Sequence, residues 1–155
     1  MMKMDDITYL RKNFDQEHRY EYEGSPVPRT TEILSKTIHD DRIVYWANSL
    51  GFKGKGYRRT LREYSDYGTR IHGDIENYIR EKIVPSIPSA SFDAFMNWWG
   101  RIIQNPVEIV GQEVKLSCPW FGGTYDLLIK INRKLYLVDF KTSNHLTFKY
   151  CLQLA

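Results

Sequence analysis

Late in this 155-residue chain, two carboxylates and a lysine stand close together. They are Asp126, closing Gly122-Gly123-Thr124-Tyr125-Asp126, and Asp139 and Lys141 within Leu137-Val138-Asp139-Phe140-Lys141-Thr142. Paired carboxylates bind a hard divalent cation through oxygen, and a cation that keeps some of its water can activate that water for attack on phosphorus. A nearby lysine stabilises the negative charge that develops. The chemistry these three residues would serve is metal-assisted phosphodiester hydrolysis.

The intervening segment decides whether they can meet. Leu127 to Val138 alternates in hydrophobicity and pivots about Asn132-Arg133, the pattern of two antiparallel strands joined by a tight turn. With those two residues at the loop centre, Ile131 faces Lys134 and Asp126 falls directly opposite Asp139. Opposed Cβ atoms lie roughly 4.5–5.5 Å apart, so the two charges repel unless a cation intervenes. Lys141 is two residues beyond Asp139, on the same face and about 6.6 Å further along. Asn-Arg departs from the usual turn preference for Gly at the second position; a four-residue loop keeps the same pairing, whereas a three-residue loop would break it.

The elements around this hairpin follow from periodicity and punctuation. Residues 18–29 form a short hairpin bent at Glu23-Gly24-Ser25, and Thr30 or Thr31 caps a short helix through Ile33 and Leu34. A second helix runs from Asp40 or Asp41 to Leu50, where Gly51 is expected to stop it. From Gly51 to Arg62 comes a cationic loop, with Lys53, Lys55, Arg58, Arg59 and Arg62, no acid, three glycines, and the aromatics Phe52 and Tyr57. Such a segment can simply be solvated, but it also suits phosphate tracking and base stacking on a single strand.

The loop enters a third helix that reaches about Lys82, with an imperfect apolar stripe of Leu61, Tyr64, Ile71, Ile75 and Ile79. A fourth, Ser89 to about Gln104, carries Phe92, Phe95, Met96, Trp99, Ile102 and Ile103 as a core face; Trp98 lies off that stripe, where it could cap a surface pocket. Strands are expected at 107–117, 122–131 and 134–142, then a helix from about Leu146. N-terminal helices, a three-stranded antiparallel meander and a C-terminal helix make an α+β protein.

Composition sets outer bounds. With 42% hydrophobic and 26% charged residues, one domain with a substantial core is expected over 1–155. The net charge of +3 permits a polyanionic partner without requiring one. No apolar run approaches membrane-spanning length and the N-terminus lacks the pattern of a targeting peptide, so a soluble intracellular protein is expected, with no membrane partner. Cys118 and Cys151 have no CxxC spacing, which argues against zinc and iron–sulfur clusters and leaves oxygen and imidazole as metal ligands.

Imidazole is available in the third helix. His72 and Glu76 share a face one turn apart, within Tyr67-Gly68-Thr69-Arg70-Ile71-His72-Gly73-Asp74-Ile75-Glu76. A histidine flanking an apolar stripe is ordinarily a satisfied core residue. Two mid-helix glycines, each costing about 1 kcal/mol relative to alanine, change that reading, because close approach of a backbone or a ligand would explain them.

Taken together, Gly68-Thr69-x-x-His72-x-x-x-Glu76, Glu113, Gly123-Thr124-x-Asp126, Asp139-x-Lys141-Thr142 and Gln153 resemble the RecB-like branch of the PD-(D/E)xK nuclease superfamily. The match covers residues ~65 to 155; Pro28-Arg29-Thr30-Thr31-Glu32-Ile33-Leu34 looks like the lead-in of phage-type members. The resemblance implies a restriction-endonuclease-like α/β core at 58–155 behind a lead-in at 1–57. It implies Mg²⁺ or Mn²⁺ bound by His72, Asp126, Asp139 and the Phe140 carbonyl, with Lys141 as the catalytic lysine. Glu76 and Glu113 match recurrent acids, either outer-shell metal contacts or structural hydrogen-bonding groups. Gln153 matches the start of a Gln-x-x-x-Tyr helix motif whose tyrosine would fall beyond Ala155, so a core shortened at its C-terminus is expected. The four cysteines of iron–sulfur relatives are absent. The activity implied is that of a metal-dependent deoxyribonuclease, an exonuclease on single strands or ends, in the cytoplasm of a host cell if phage-encoded. The rival expectation is an inactive nucleic-acid-binding module of a larger assembly or oligomer.

Overall fold

The structure, a computed structural model, describes residues 20–38, 41–143, 145 and 147–154. The expected positions His18, Arg19, Asp40 and Leu146 lie outside the described residues. The protein is α+β. Its elements are β1 (Tyr20–Tyr22), β2 (Ser25–Val27), α1 (Thr30–Thr37), α2 (Asp41–Phe52), α3 (Tyr57–Glu81), α4 (Ala90–Ile102), β3 (Val107–Ser117), β4 (Gly122–Ile131), β5 (Lys134–Val138) and α5 (Phe148–Leu154). Strands β3, β4 and β5 form one antiparallel sheet in that order, and β1 pairs with β2 in a second. Among the described residues no helix is long and apolar enough to cross a membrane.

The chain divides into two compact units. The first comprises the described residues of Met1–His39, Glu113–Tyr125 and Leu146–Ala155. Here Glu23 and Gly24 both take positive φ in a two-residue turn, so Tyr20 pairs with Val27 and Tyr22 with Ser25. Gly122 donates its N–H to the Pro28 carbonyl at 2.9 Å, and a Cβ on it would collide with the Tyr20 side chain. Glycine is required there by close approach. The Tyr20 hydroxyl in turn meets Thr124 Oγ1 at 2.8 Å.

The second unit comprises the described residues of Asp40–Gln112 and Asp126–His145. Its core joins Ile71, Ile75 and Ile79 of α3, Phe92, Phe95 and Trp99 of α4, and Leu127 and Ile129 of β4. Ser89, the expected first residue of α4, instead caps it, its hydroxyl accepting from the Phe92 N–H at 3.1 Å. The helix ends at Ile102, short of Gln104, and Ile103 is exposed rather than part of the buried face.

Two further boundaries, those flanking the basic segment, differ from expectation. Helix α2 continues through Gly51 to Phe52, because the stop is made by Gly54: at φ +66° it donates to the Gly51 carbonyl while Lys55 reaches back to Leu50. These two bonds satisfy the last carbonyls of the helix, and only a residue at ease in the left-handed region fits between them. Helix α3 starts at Tyr57, so Arg58, Arg59 and Arg62 are helical and the connecting turn is confined to residues 53–56. The N-terminal part of the expected stripe is not buried, since Leu61 and Tyr64 are exposed.

Candidate active site

The β4–β5 hairpin has the register that the Asn132-Arg133 pivot predicts. Leu127 pairs with Val138 and Ile131 with Lys134, and both turn residues lie at positive φ (+50° and +67°). That is the left-handed conformation required of a turn that matches strand twist. Arg133 adopts it without being glycine.

The paired ladder stops at Val138, four residues short of the strand end expected at 142. One step beyond, where Asp126 and Asp139 would face each other, the Phe140 N–H donates to Asp126 Oδ2 at 2.6 Å. A carboxylate has replaced a backbone carbonyl as the acceptor, so the chain leaves the sheet there and 139–142 are released to form a site. This was not foreseen, because a strand pattern read from side chains does not show where a side chain will take over a backbone bond.

Asp126 is thereby fixed through one oxygen, while its other oxygen, Oδ1, lies 3.5 Å from His72 Nδ1. Lys141 Nζ lies 2.5 Å from Asp139 Oδ2, and the Asp139 side chain is only 6% exposed. Burial pushes the Asp139 carboxyl above its ordinary pKa. The hydrogen bond and charge of Lys141 oppose that rise, Asp126 adds to it and His72 reduces it. Asp139 therefore feels Lys141, Asp126 and His72 together. The Phe140 ring packs inward, edge-on to Phe95 (5.6 Å) and Trp98 (5.9 Å). Phe140 is thus anchored in the core, and the residues on either side of it, Asp139 and Lys141, pair with each other.

His72, Asp126, Asp139, Phe140 and Lys141 thus come together within the second unit, and Phe140 contributes its N–H, a role the sequence did not signal. Glu76 is engaged elsewhere, its carboxylate accepting from Arg80 one turn on and its carbonyl from Gln112 Nε2 at 3.1 Å. Of the two readings open to Glu76, the structural one fits. Glu113 belongs to the first unit, at φ +50° within β3. A non-glycine residue held there costs roughly 1 kcal/mol or more, an outlier of the kind that accumulates at functional positions. Gln153 lies in α5, also in the first unit. The basic residues Lys53, Lys55, Arg58, Arg59 and Arg62 are all exposed.

Neither mid-helix glycine is demanded by neighbouring protein. A Cβ at Gly73 would meet nothing within 4 Å, and one at Gly68 would lie 3.5 Å from Thr142 Oγ1, an ordinary contact. Backbone approach therefore does not account for them.

His72 Nδ1 and Asp126 Oδ1 offer the imidazole and oxygen donors that a divalent cation accepts, while Asp139 is paired with Lys141. No family model, curated protein or solved structure matches this chain.

Proposed function

We propose that the protein is a metal-dependent nuclease that hydrolyses phosphodiester bonds in DNA. The observation that carries this reading is the convergence of Asp126, Asp139 and His72 beside a lysine paired to one of the acids. The resemblance to RecB-like nucleases rests on the same residues in the same order, and supports the reading in the same direction.

His72, Asp126 and Asp139 would hold Mg²⁺ or Mn²⁺, which supplies Lewis acidity toward the scissile phosphate and acidifies a water molecule at neutral pH. The chain does the rest. Phe140 N–H locks Asp126 so that one oxygen is committed and the other stays toward His72. Asp139 orients the Lys141 ammonium, which donates to the oxygen that gains charge as the water oxygen bonds to phosphorus and the ester bond breaks. The attacking water gives one proton to solvent, and the leaving oxygen takes one proton up from solvent. Removal of a single such donor costs roughly 10²–10³ in rate.

The test is incubation of end-labelled single- and double-stranded DNA and RNA with Mg²⁺ or Mn²⁺, beside Lys141→Ala. Cleavage of DNA that requires the metal and falls by about 10²–10³ in the variant is expected. Equal metal-dependent cleavage by both proteins would refute the assignment.

A further inference from the structure

Two hollows border helix α3. Near the start of the helix a cleft of about 700 Å³ is lined by Gly54, Lys55, Gly56, Arg59, Thr60 and Tyr64, and reaches Glu63 and Tyr67. Further along, a smaller hollow of about 150 Å³ is bordered by Ile71 and Ile75 of the same helix, by Trp98, and by Phe140, Lys141 and Thr142 of the candidate site. Thr60, Tyr64, Tyr67, Ile71 and Ile75 are spaced three or four residues apart, so they lie along a single helical face. Gly68 and His72 flank this line. From Gly56 to His72 the helix rises about 24 Å at about 1.5 Å per residue.

The chemistry of the outer end is one-sided. Between Arg42 and Arg62 there are six basic residues and no acid. Glu63 is the first acid after them, and Arg59 Nε holds its carboxylate at 2.9 Å. Helix α3 begins with no side-chain cap and no acid in its first turn, and places Arg58 and Arg59 there instead. Bases at that end oppose the helix dipole, an unfavourable arrangement that a polyanion offsets. Aromatic surface stands among these charges: Phe52 is 95% exposed, Tyr45 76% and Tyr64 61%. Tyr57 is less available, turned edge-on to Trp46 at 5.5 Å.

We infer that a single strand of nucleic acid runs from the cationic end of α3, over Tyr64 and past Gly68, to Lys141. This deepens the nuclease reading and rests on it for direction. Bases are needed for the phosphates, and exposed aromatic rings for unpaired bases, whose faces a duplex would hide. The absence of a side chain at Gly68 keeps the path beside Thr142 open, which explains a helix-interior glycine that protein packing does not. At about 6 Å per nucleotide of an extended strand, the track takes roughly four nucleotides before the reacting phosphate. The smaller hollow beside Lys141 is well below the roughly 300 Å³ of a typical ligand pocket, and has room for one planar ring against Trp98.

The test is fluorescence anisotropy in a chelator with labelled oligodeoxythymidylates of about 2 to about 20 nucleotides, a blunt duplex, and polyglutamate as competitor. Affinity should climb with length until the track is filled, and the duplex should bind more weakly. Replacing Lys53, Lys55, Arg58 and Arg59 together by Ala should lower the salt slope by about 3. Tyr64→Ala should weaken binding about tenfold. Gly68→Ala, which helix propensity favours, should raise Tm yet weaken binding several-fold. The track is overturned if dinucleotides bind as tightly as long strands, if the duplex or polyglutamate binds equally well, or if these variants bind like the wild type. Length-dependent binding in a protein that cleaves nothing with Mg²⁺ or Mn²⁺ would uphold the track and sink the hydrolytic reading instead.

Discussion

The two halves of α3 are built to the same period but treated differently. In the second half Ile71, Ile75 and Ile79 are 2–4% exposed, locked between α4 and β4, and His72 stands beside them. In the first half Leu61 and Tyr64 occupy the equivalent stripe yet are 47% and 61% exposed, with Trp46 of α2 as the aromatic neighbour of Tyr64. Spacing tells which face a residue lies on; whether that face is covered depends on a partner arriving from elsewhere in the chain. The contrast divides the labour of the helix. One half fixes the position of His72, and the other presents charge and aromatic surface to solvent.

The largest effect that could break this division is on stability. Ile75→Ala should cost about 2–5 kcal/mol in chemical denaturation, since it opens a cavity among rigid neighbours. Leu61→Ala, a change of the same kind fourteen positions earlier, should stay within about 0.5 kcal/mol. Comparable losses at both sites would mean that the first half is also structural.

A second prediction sharpens what the buried end costs. Burial raises the Asp139 pKa, so in the folded state the protonated form is favoured relative to the unfolded chain. The sign follows: this group's contribution to stability is fully present below the unfolded carboxylate pKa and is lost as pH rises through the higher folded value. Asp139→Asn removes that loss. Its Tm at neutral pH should equal or exceed that of the wild type, with the gap closing under acid, while metal-dependent activity disappears. A Tm well below the wild type at neutral pH would show instead that the Lys141 pair outweighs desolvation.

A last predicted change lies outside both halves. Arg133→Gly should stabilise the β4–β5 turn by about 1 kcal/mol or less, because glycine occupies φ +67° without a Cβ penalty. A loss of stability on thermal melting would mean that the Arg133 side chain contributes more than its backbone conformation costs.

These comparisons also show what could be read from the residues alone. The hairpin register was legible because a period of two with a central pivot leaves few alternatives, although the ladder ends one pair short of Asp126 and Asp139. The buried helical faces were legible from Ile71 to Ile79 and from Phe92 to Trp99 for the same reason. Three things were hidden. The end of β5 depends on the Asp126 carboxylate competing for the Phe140 N–H, a side-chain event. The stop of α2 depends on which of several nearby glycines closes the helix, and Gly51 and Gly54 look alike until the capping bonds are seen. The commitment of Glu76 to Arg80 rather than to the site was likewise open, since an acid four residues from His72 and four from Arg80 suits either partner.

The central claim is that His72, Asp126 and Asp139 make a divalent cation site that the exposed half of α3 does not share. Calorimetric titration of Mn²⁺ into the wild type, Asp126→Ala and the Lys53/Lys55/Arg58/Arg59 alanine variant tests it directly. A binding event that vanishes in Asp126→Ala and persists unchanged in the Lys53/Lys55/Arg58/Arg59 alanine variant is expected. Mn²⁺ binding that survives Asp126→Ala, or no binding in the wild type, would contradict it.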